Sequence, residues 1–138
     1  MKKQIIIIGF LLGVSGLYSV HGGAQSPNSF KSFWGKFKTA VINSDKETVS
    51  SLSRFPLRMS FGMASVKSKA ELMRRYREVF NEQTNAAACF AKKEPEKDTG
   101  SKGYSIACPD AAGNEVVVYS FAYTKTGWRF TGLDNLNE

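Results

Sequence analysis

Glu115-Val116-Val117-Val118-Tyr119-Ser120-Phe121-Ala122-Tyr123-Thr124 is followed by Lys125-Thr126 and then by Gly127-Trp128-Arg129-Phe130-Thr131-Gly132-Leu133. The first run is rich in β-branched and aromatic residues and alternates with a period of two, which predicts a strand. Thr124-Lys125-Thr126-Gly127 is the hairpin connection, and the last run is the return strand, with Trp128, Phe130 and Gly132 on one face and Arg129, Thr131 and Leu133 on the other. In that hairpin Phe121 faces Phe130 and Tyr123 faces Trp128, pairs that stabilise a sheet by about 0.2–1 kcal/mol each. Tyr119, Phe121 and Tyr123 share one face of their strand. Such a set either packs a core or, placed at a mouth or an open sheet face, forms a hydrophobic ligand pocket or a dimer surface.

Working back from the hairpin, Pro109 to Asn114 is a turn, and Gly103 to Cys108 and Ala86 to Ala91 are two further expected strands around the charged connector Lys92 to Lys102. If these strands are antiparallel and Cys89 faces Cys108, then Ala91 faces Ile106, Lys93 faces Tyr104, and the turn centres between Asp98 and Thr99, inside the connector. The expected hairpin thus sets the two thiols opposite each other, and an oxidising compartment would join Cys89 to Cys108. The alternative is a pair of buried free thiols, which serve well as small core residues.

The half of the chain before these strands is helical. Phe30, Phe33, Trp34, Phe37 and Val41 recur at the spacing of one helix face, with Lys31, Lys36 and Lys38 on the other side. Asn43 ends that helix. Ser44 and Glu47 have the spacing of a capping box for a second, shorter helix whose buried side is Val49 and Leu52. Phe55-Pro56 breaks the helical run, and Leu57, Met59 and Phe61 alternate with Arg58 and Ser60 as a short strand. Gly62 to Lys67 is a loop. A second capping box, Ser68 with Glu71, opens a helix through Asn81 with Leu72, Tyr76, Val79 and Phe80 on its apolar face. Arg74, Arg75 and Arg77 form the basic surface of this helix, and Glu78 is spaced to pair with Arg74.

At the amino terminus Lys2 and Lys3 precede the apolar run Ile5 to Val14, and Gly22 and Ala24 occupy the positions a signal peptidase reads. Residues 1–24 are therefore read as a bacterial signal peptide, with a membrane anchor as the alternative, and residues 25–138 as one exported domain, periplasmic or extracellular, with no stable membrane span after cleavage. The whole chain carries 19 Lys and Arg against 12 Asp and Glu, a charge of +7, and loss of Lys2 and Lys3 lowers it to +5. Cleavage also removes His21, the one histidine. Triads that need imidazole and His-containing metal sites are then excluded, and two cysteines alone are too few ligands for zinc, so no metal or cofactor is expected. The charge is moderate and no nucleic-acid module is present, so nucleic acid is not an expected partner.

Helical segments interrupted by one short strand, then a long meander, give an α+β class. The order resembles the nuclear-transport-factor-two-like superfamily, the cystatin-like cone shared by ketosteroid isomerases and small secreted bacterial proteins of unassigned function. The resemblance rests on the aromatic helix Phe30–Phe37, on Arg54-Phe55-Pro56-Leu57, on the helix Ser68–Asn81 and on the ending Gly127 to Asn135. It implies N-terminal helices packed on a curved antiparallel sheet, with a pocket at the open end of the cone. Isomerase-like members place a carboxylate base in that cone, often with a tyrosine donor. Here no Asp or Glu falls inside an expected strand: Asp45, Asp98, Asp110 and Asp134 lie at caps, turns or ends, and Glu47 and Glu71 are capping residues. The candidate pocket or interface residues are Tyr76, Tyr104, Tyr119, Phe121, Tyr123, Trp128 and Phe130. The expected function is a non-enzymatic domain that holds a small apolar ligand or a protein partner at the cone mouth or sheet face, with a homodimer through the sheet as one form of partner. Two alternatives stand beside it: an isomerase- or hydrolase-like enzyme of the same fold, and an inhibitor or immunity-type protein.

Overall fold

Helix α1, Phe30–Ile42, starts where Ser29 Oγ accepts the Ser32 N–H at 3.1 Å and buries Phe33, Trp34, Phe37 and Val41 of the stripe read from the sequence together with Ala40, while Phe30 is half-buried. The structure is a computed structural model that describes residues 28–60 and 62–137. The expected signal peptide, and Phe61 of the short strand, lie outside the described residues. Ser44 takes a positive φ of 53° and reverses the chain. The cap of helix α2, Lys46–Ser51, is Asp45 rather than Ser44, because only after that reversal can a side chain accept the Thr48 N–H, at 3.1 Å.

Strand β1, Ser53–Met59, runs through Phe55-Pro56 rather than starting after it, with the peptide between those two residues cis. It is an edge strand, where proline's missing N–H leaves no ladder bond unmade. The expected helix from Ser68 to Asn81 is two pieces: helix α3, Lys69–Arg74, and a π-helical turn, Glu78–Glu82. Ser68 accepts from the Glu71 N–H at 3.2 Å, and Glu71 reaches back to the Lys67 N–H at 2.9 Å, so the second capping box closes one residue early.

Residues 86–91 are not a strand. Helix α4, Ala86–Lys92, is capped by Asn85, which accepts the Ala88 N–H at 3.0 Å. Ala86-Ala87-Ala88 are strong helix formers, and burial of Ala86, Cys89 and Phe90 follows the helical spacing. The remaining strands are β2, Glu96–Lys97; β3, Tyr104–Pro109; β4, Glu115–Thr124; and β5, Gly127–Asn135. Their order among the described residues is β1-β5-β4-β3-β2 in one curved, open sheet. The β2 to β5 pairs form the antiparallel meander, and β1 adds to β5 in parallel, which makes the sheet mixed.

Phe121 does face Phe130, and Tyr123 faces Trp128. Beyond Phe130 the register shifts, so that Ser120 faces Gly132 and Tyr119 faces Leu133. This bulge turns Leu133 into the core rather than onto the outer face. Cys89 is joined to Cys108 with their Cα atoms 5.8 Å apart, but the bridge ties helix α4 to strand β3. The strand register expected from that pair does not form: β3 pairs instead with β2, Lys97 facing Tyr104. Helices and sheet enclose an aromatic core in which Phe37, Phe80, Phe90, Phe121, Phe130 and Tyr119 are fully buried.

Candidate functional site

The seven candidate side chains do not form one pocket. Tyr76, Tyr119, Phe121 and Phe130 are buried and fill the cone. The Tyr119 hydroxyl donates to Val79 O at 2.7 Å, and that of Tyr76 to Val41 O at 3.4 Å. Tyr104 and Trp128 are half-buried around Phe30, which stacks on Tyr104 with ring centroids 3.8 Å apart and meets Trp128 edge-on at 5.0 Å. Tyr123 is 59% exposed and touches the edge of the Trp128 ring.

The three arginines separate as well. Arg74 and Arg77 are exposed, and Arg77 approaches Glu82 at 3.6 Å. Arg75 is not part of a basic surface. Its guanidinium is held by Glu78 at 2.6 and 2.8 Å, by Glu71 at 3.1 Å and by Ala64 O at 2.9 Å. Glu78 thus pairs with Arg75 rather than Arg74, and the Arg75 guanidinium holds the Glu78 carboxyl below its usual range. The bridge ties the loop before α3 to the π-helical turn.

The open space lies beside the cone, between α1 and the chain entering β2. A groove of about 620 Å³ is lined by Phe30, Lys31, Trp34, Gly35 and Lys38 on one side and by Glu94, Pro95 and Tyr104 on the other. Positions 31, 34, 35 and 38 form one stripe of α1. Lys38 Nζ spans the groove to Glu94 at 2.7 Å and lies 5.7 Å from the centre of the Trp34 ring. Trp34 is 3% exposed, and its Nε1 has no hydrogen-bond partner among the described residues. Gly35 sits mid-helix, where it costs about 1 kcal/mol relative to alanine. A Cβ at this position would meet nothing within 4 Å, so packing among the described residues does not require the glycine. The sequence reading placed Lys31 and Lys38 on the solvent side and missed the groove; the available signal was a glycine in mid-helix with a lysine one turn away on each side.

No protein-family model matches the chain, and no curated protein does. Solved structures do. A candidate dehydratase of the nuclear-transport-factor-two-like family from Streptomyces avermitilis is 18% identical, over 75% of this chain and 90% of that one, with a TM-score of 0.43. A nuclear-transport-factor-two-like protein with a cystatin-like fold from Novosphingobium aromaticivorans is 15% identical, over 75% and 76%, with a TM-score of 0.40. A candidate aromatic-ring hydroxylase from the same organism is 17% identical, over 77% and 85%, with a TM-score of 0.39.

Within the core that helices and sheet enclose, the described buried polar residues are Ser50, Ser53 and Thr84, with no carboxylate among them. Among the described residues no three of His, Cys, Asp and Glu cluster as metal ligands. Burial raises the Tyr119 phenol far above the ordinary value of roughly 10, and burial, then the charge of Asp45, pushes Tyr76 up to about 12. The unfolded chain releases these protons near pH 10, whereas the folded chain keeps them. Stability is therefore untouched below that pH and falls as pH rises through it. The expected result is that tyrosinate absorbance from Tyr76 and Tyr119 appears together with loss of far-ultraviolet circular dichroism. Ionisation of every tyrosine with the dichroism intact would contradict this placement.

Proposed function

We propose that this protein is an exported, disulfide-bridged, non-enzymatic binding domain, and that its site is the groove between α1 and the entry to β2. The observation that carries this reading is the groove itself: an aromatic floor of Phe30, Trp34 and Tyr104, held open by a glycine that packing does not call for. Among the described residues the interior is filled by apolar side chains and holds no buried carboxylate, which supports a binding role over acid or base catalysis inside the cone. Export is supported by the leader pattern and by the Cys89–Cys108 bridge. No described helix is long and apolar enough to cross a membrane.

The test is a titration of the isotope-labelled protein with small aromatic probes, followed by amide and indole resonances. Shifts are expected at Phe30, Trp34, Gly35 and Tyr104. Shifts on the outward residues Ser105, Ser120 and Ala122 together with a doubled mass would instead favour pairing through the sheet. Silence at the groove would end the small-ligand reading.

A further inference from the structure

We infer that the groove takes a small aromatic carboxylate, its ring against Phe30, Trp34 and Tyr104 and its carboxylate over Gly35 between Lys31 and Lys38; this rests on the groove being the binding site. Three independent features point to that chemistry. The first is charge. Lys31 lies four residues before Gly35 and Lys38 three residues after it, so two ammonium groups flank the bare Cα on the same helix stripe. Lys31 is exposed and has no ion-pair partner among the described residues. Lys38 is paired with Glu94 at 2.7 Å across the groove, an exposed pair from which a ligand carboxylate can draw the ammonium, while Lys31 supplies the unpaired charge.

The second feature is the helix end. The first turn of α1 contains Lys31 and no acidic residue. A cation near a helix N-terminus is electrostatically misplaced unless an anion joins it, and the helix itself favours that anion. The third is the wall. The Phe30 and Tyr104 rings, stacked at 3.8 Å, line the groove with Pro95 and the exposed edge of the nearly buried Trp34 indole, an aromatic lining that suits a planar ring better than a flexible chain. Gly35 connects the three, because any side chain there would stand where the carboxylate meets the two lysines. A mid-helix glycine surrounded by empty space is explained by the close approach of an occupant.

The probes are 2-naphthoate, its neutral relative 2-naphthalenemethanol, and octanoate, titrated against the full exported domain and read at the Gly35 amide and the Trp34 Nε1–H. Naphthoate is expected to bind about tenfold more tightly than the alcohol, the strength of a charge-assisted contact over a neutral one, and more tightly than octanoate. Lys31→Gln should weaken naphthoate about threefold, as for an exposed ion pair, and leave the alcohol unchanged. Gly35→Leu should fold, since its side chain has open space, and lose naphthoate binding by at least about tenfold. Gly35→Ala is the second variant, with a raised melting midpoint and weakened naphthoate binding.

Equal binding of naphthoate and the alcohol, or of naphthoate and octanoate, would overturn the ligand class while leaving the groove as a site. Absence of any shift at Gly35 and Trp34 would remove the groove and this inference together. Undiminished naphthoate affinity in both Gly35 variants would overturn the role given to the glycine and the pose built on it.

Discussion

Phe37→Ala is expected to destabilise the protein by about 3–5 kcal/mol, the cost of emptying a buried aromatic site. Phe37 is fully buried on the third turn of α1, where helix and sheet converge. Its ring lies 5.3 Å from Phe121 and 5.4 Å from Phe130 on the sheet, and 6.3 Å from Phe80 and 6.2 Å from Phe90 on the π-helical turn and α4. These neighbours are themselves large, rigid and packed against one another, so they cannot close over the void. The residual cavity adds to the lost transfer energy. A domain of this size has only about 5–15 kcal/mol of stability in all, so the variant should unfold at a much lower urea concentration. Phe37→Leu keeps most of the volume and should lose markedly less. Trp128→Ala, at the half-buried rim, should also lose less, although its ring is larger. Equilibrium urea unfolding followed by circular dichroism measures all three. A Phe37→Ala loss below about 1 kcal/mol, the ordinary effect of a substitution, would mean that the cone is not packed around this ring.

How much of this architecture could be read in advance depended on the range of the interaction that sets it. The aromatic stripe of α1 and the β4–β5 hairpin are local, and period and turn chemistry suffice for both. The alanine-rich run at 86–91 is short and apolar, so periodicity alone does not separate helix from buried strand. Helix propensity and the Asn85 cap decide it. The correct cysteine pair followed from the wrong element because a helix lying across a strand can bring a thiol within bridging distance as readily as a neighbouring strand can. The parallel pairing of β1 with β5 joins residues more than 70 positions apart, Ser53 facing Phe130, and no local pattern encodes it. The bulge that buries Leu133 is a one-residue slip that strict alternation cannot anticipate. At the site, the aromatic candidates were sorted by strand face, but most of that face fills the cone. The groove is instead built on the stripe of α1 carrying Lys31 and Lys38, residues that ordinarily read as a solvated face. Only Gly35 departs from what a plain amphipathic helix needs.

Reducing the Cys89–Cys108 bridge, or replacing both residues by alanine, is expected to lower stability by about 2–4 kcal/mol through the loop of some 20 residues that it closes, which for a domain of this length is roughly 8–16 °C in the melting midpoint. The loss should begin in α4. That helix has only seven residues, too few to persist on its own. It is held by the bridge to β3 and by Phe90, whose ring meets Trp34 at 5.0 Å and Tyr119 at 5.1 Å. Without the bridge, the hydrogen bonds from the Cys89 N–H to Asn85 O and from the Lys93 N–H to Cys89 O should exchange before those of β4 and β5. Reduction separates the covalent term from the packing of the sulfur atoms, which the alanine pair also removes. The consequence reaches the groove, because Glu94 and Pro95, on its far wall, follow α4 after a single capping residue, Lys93. A frayed α4 lets that wall drift from Trp34 and Lys38, so reduced protein should bind 2-naphthoate more weakly than oxidised protein even well below its melting temperature. Calorimetry, hydrogen exchange and the same titration, each run with and without reductant, test the chain of causes link by link. An unchanged melting midpoint after full reduction would break it at the first link, and a lowered midpoint with unchanged binding would break it at the last.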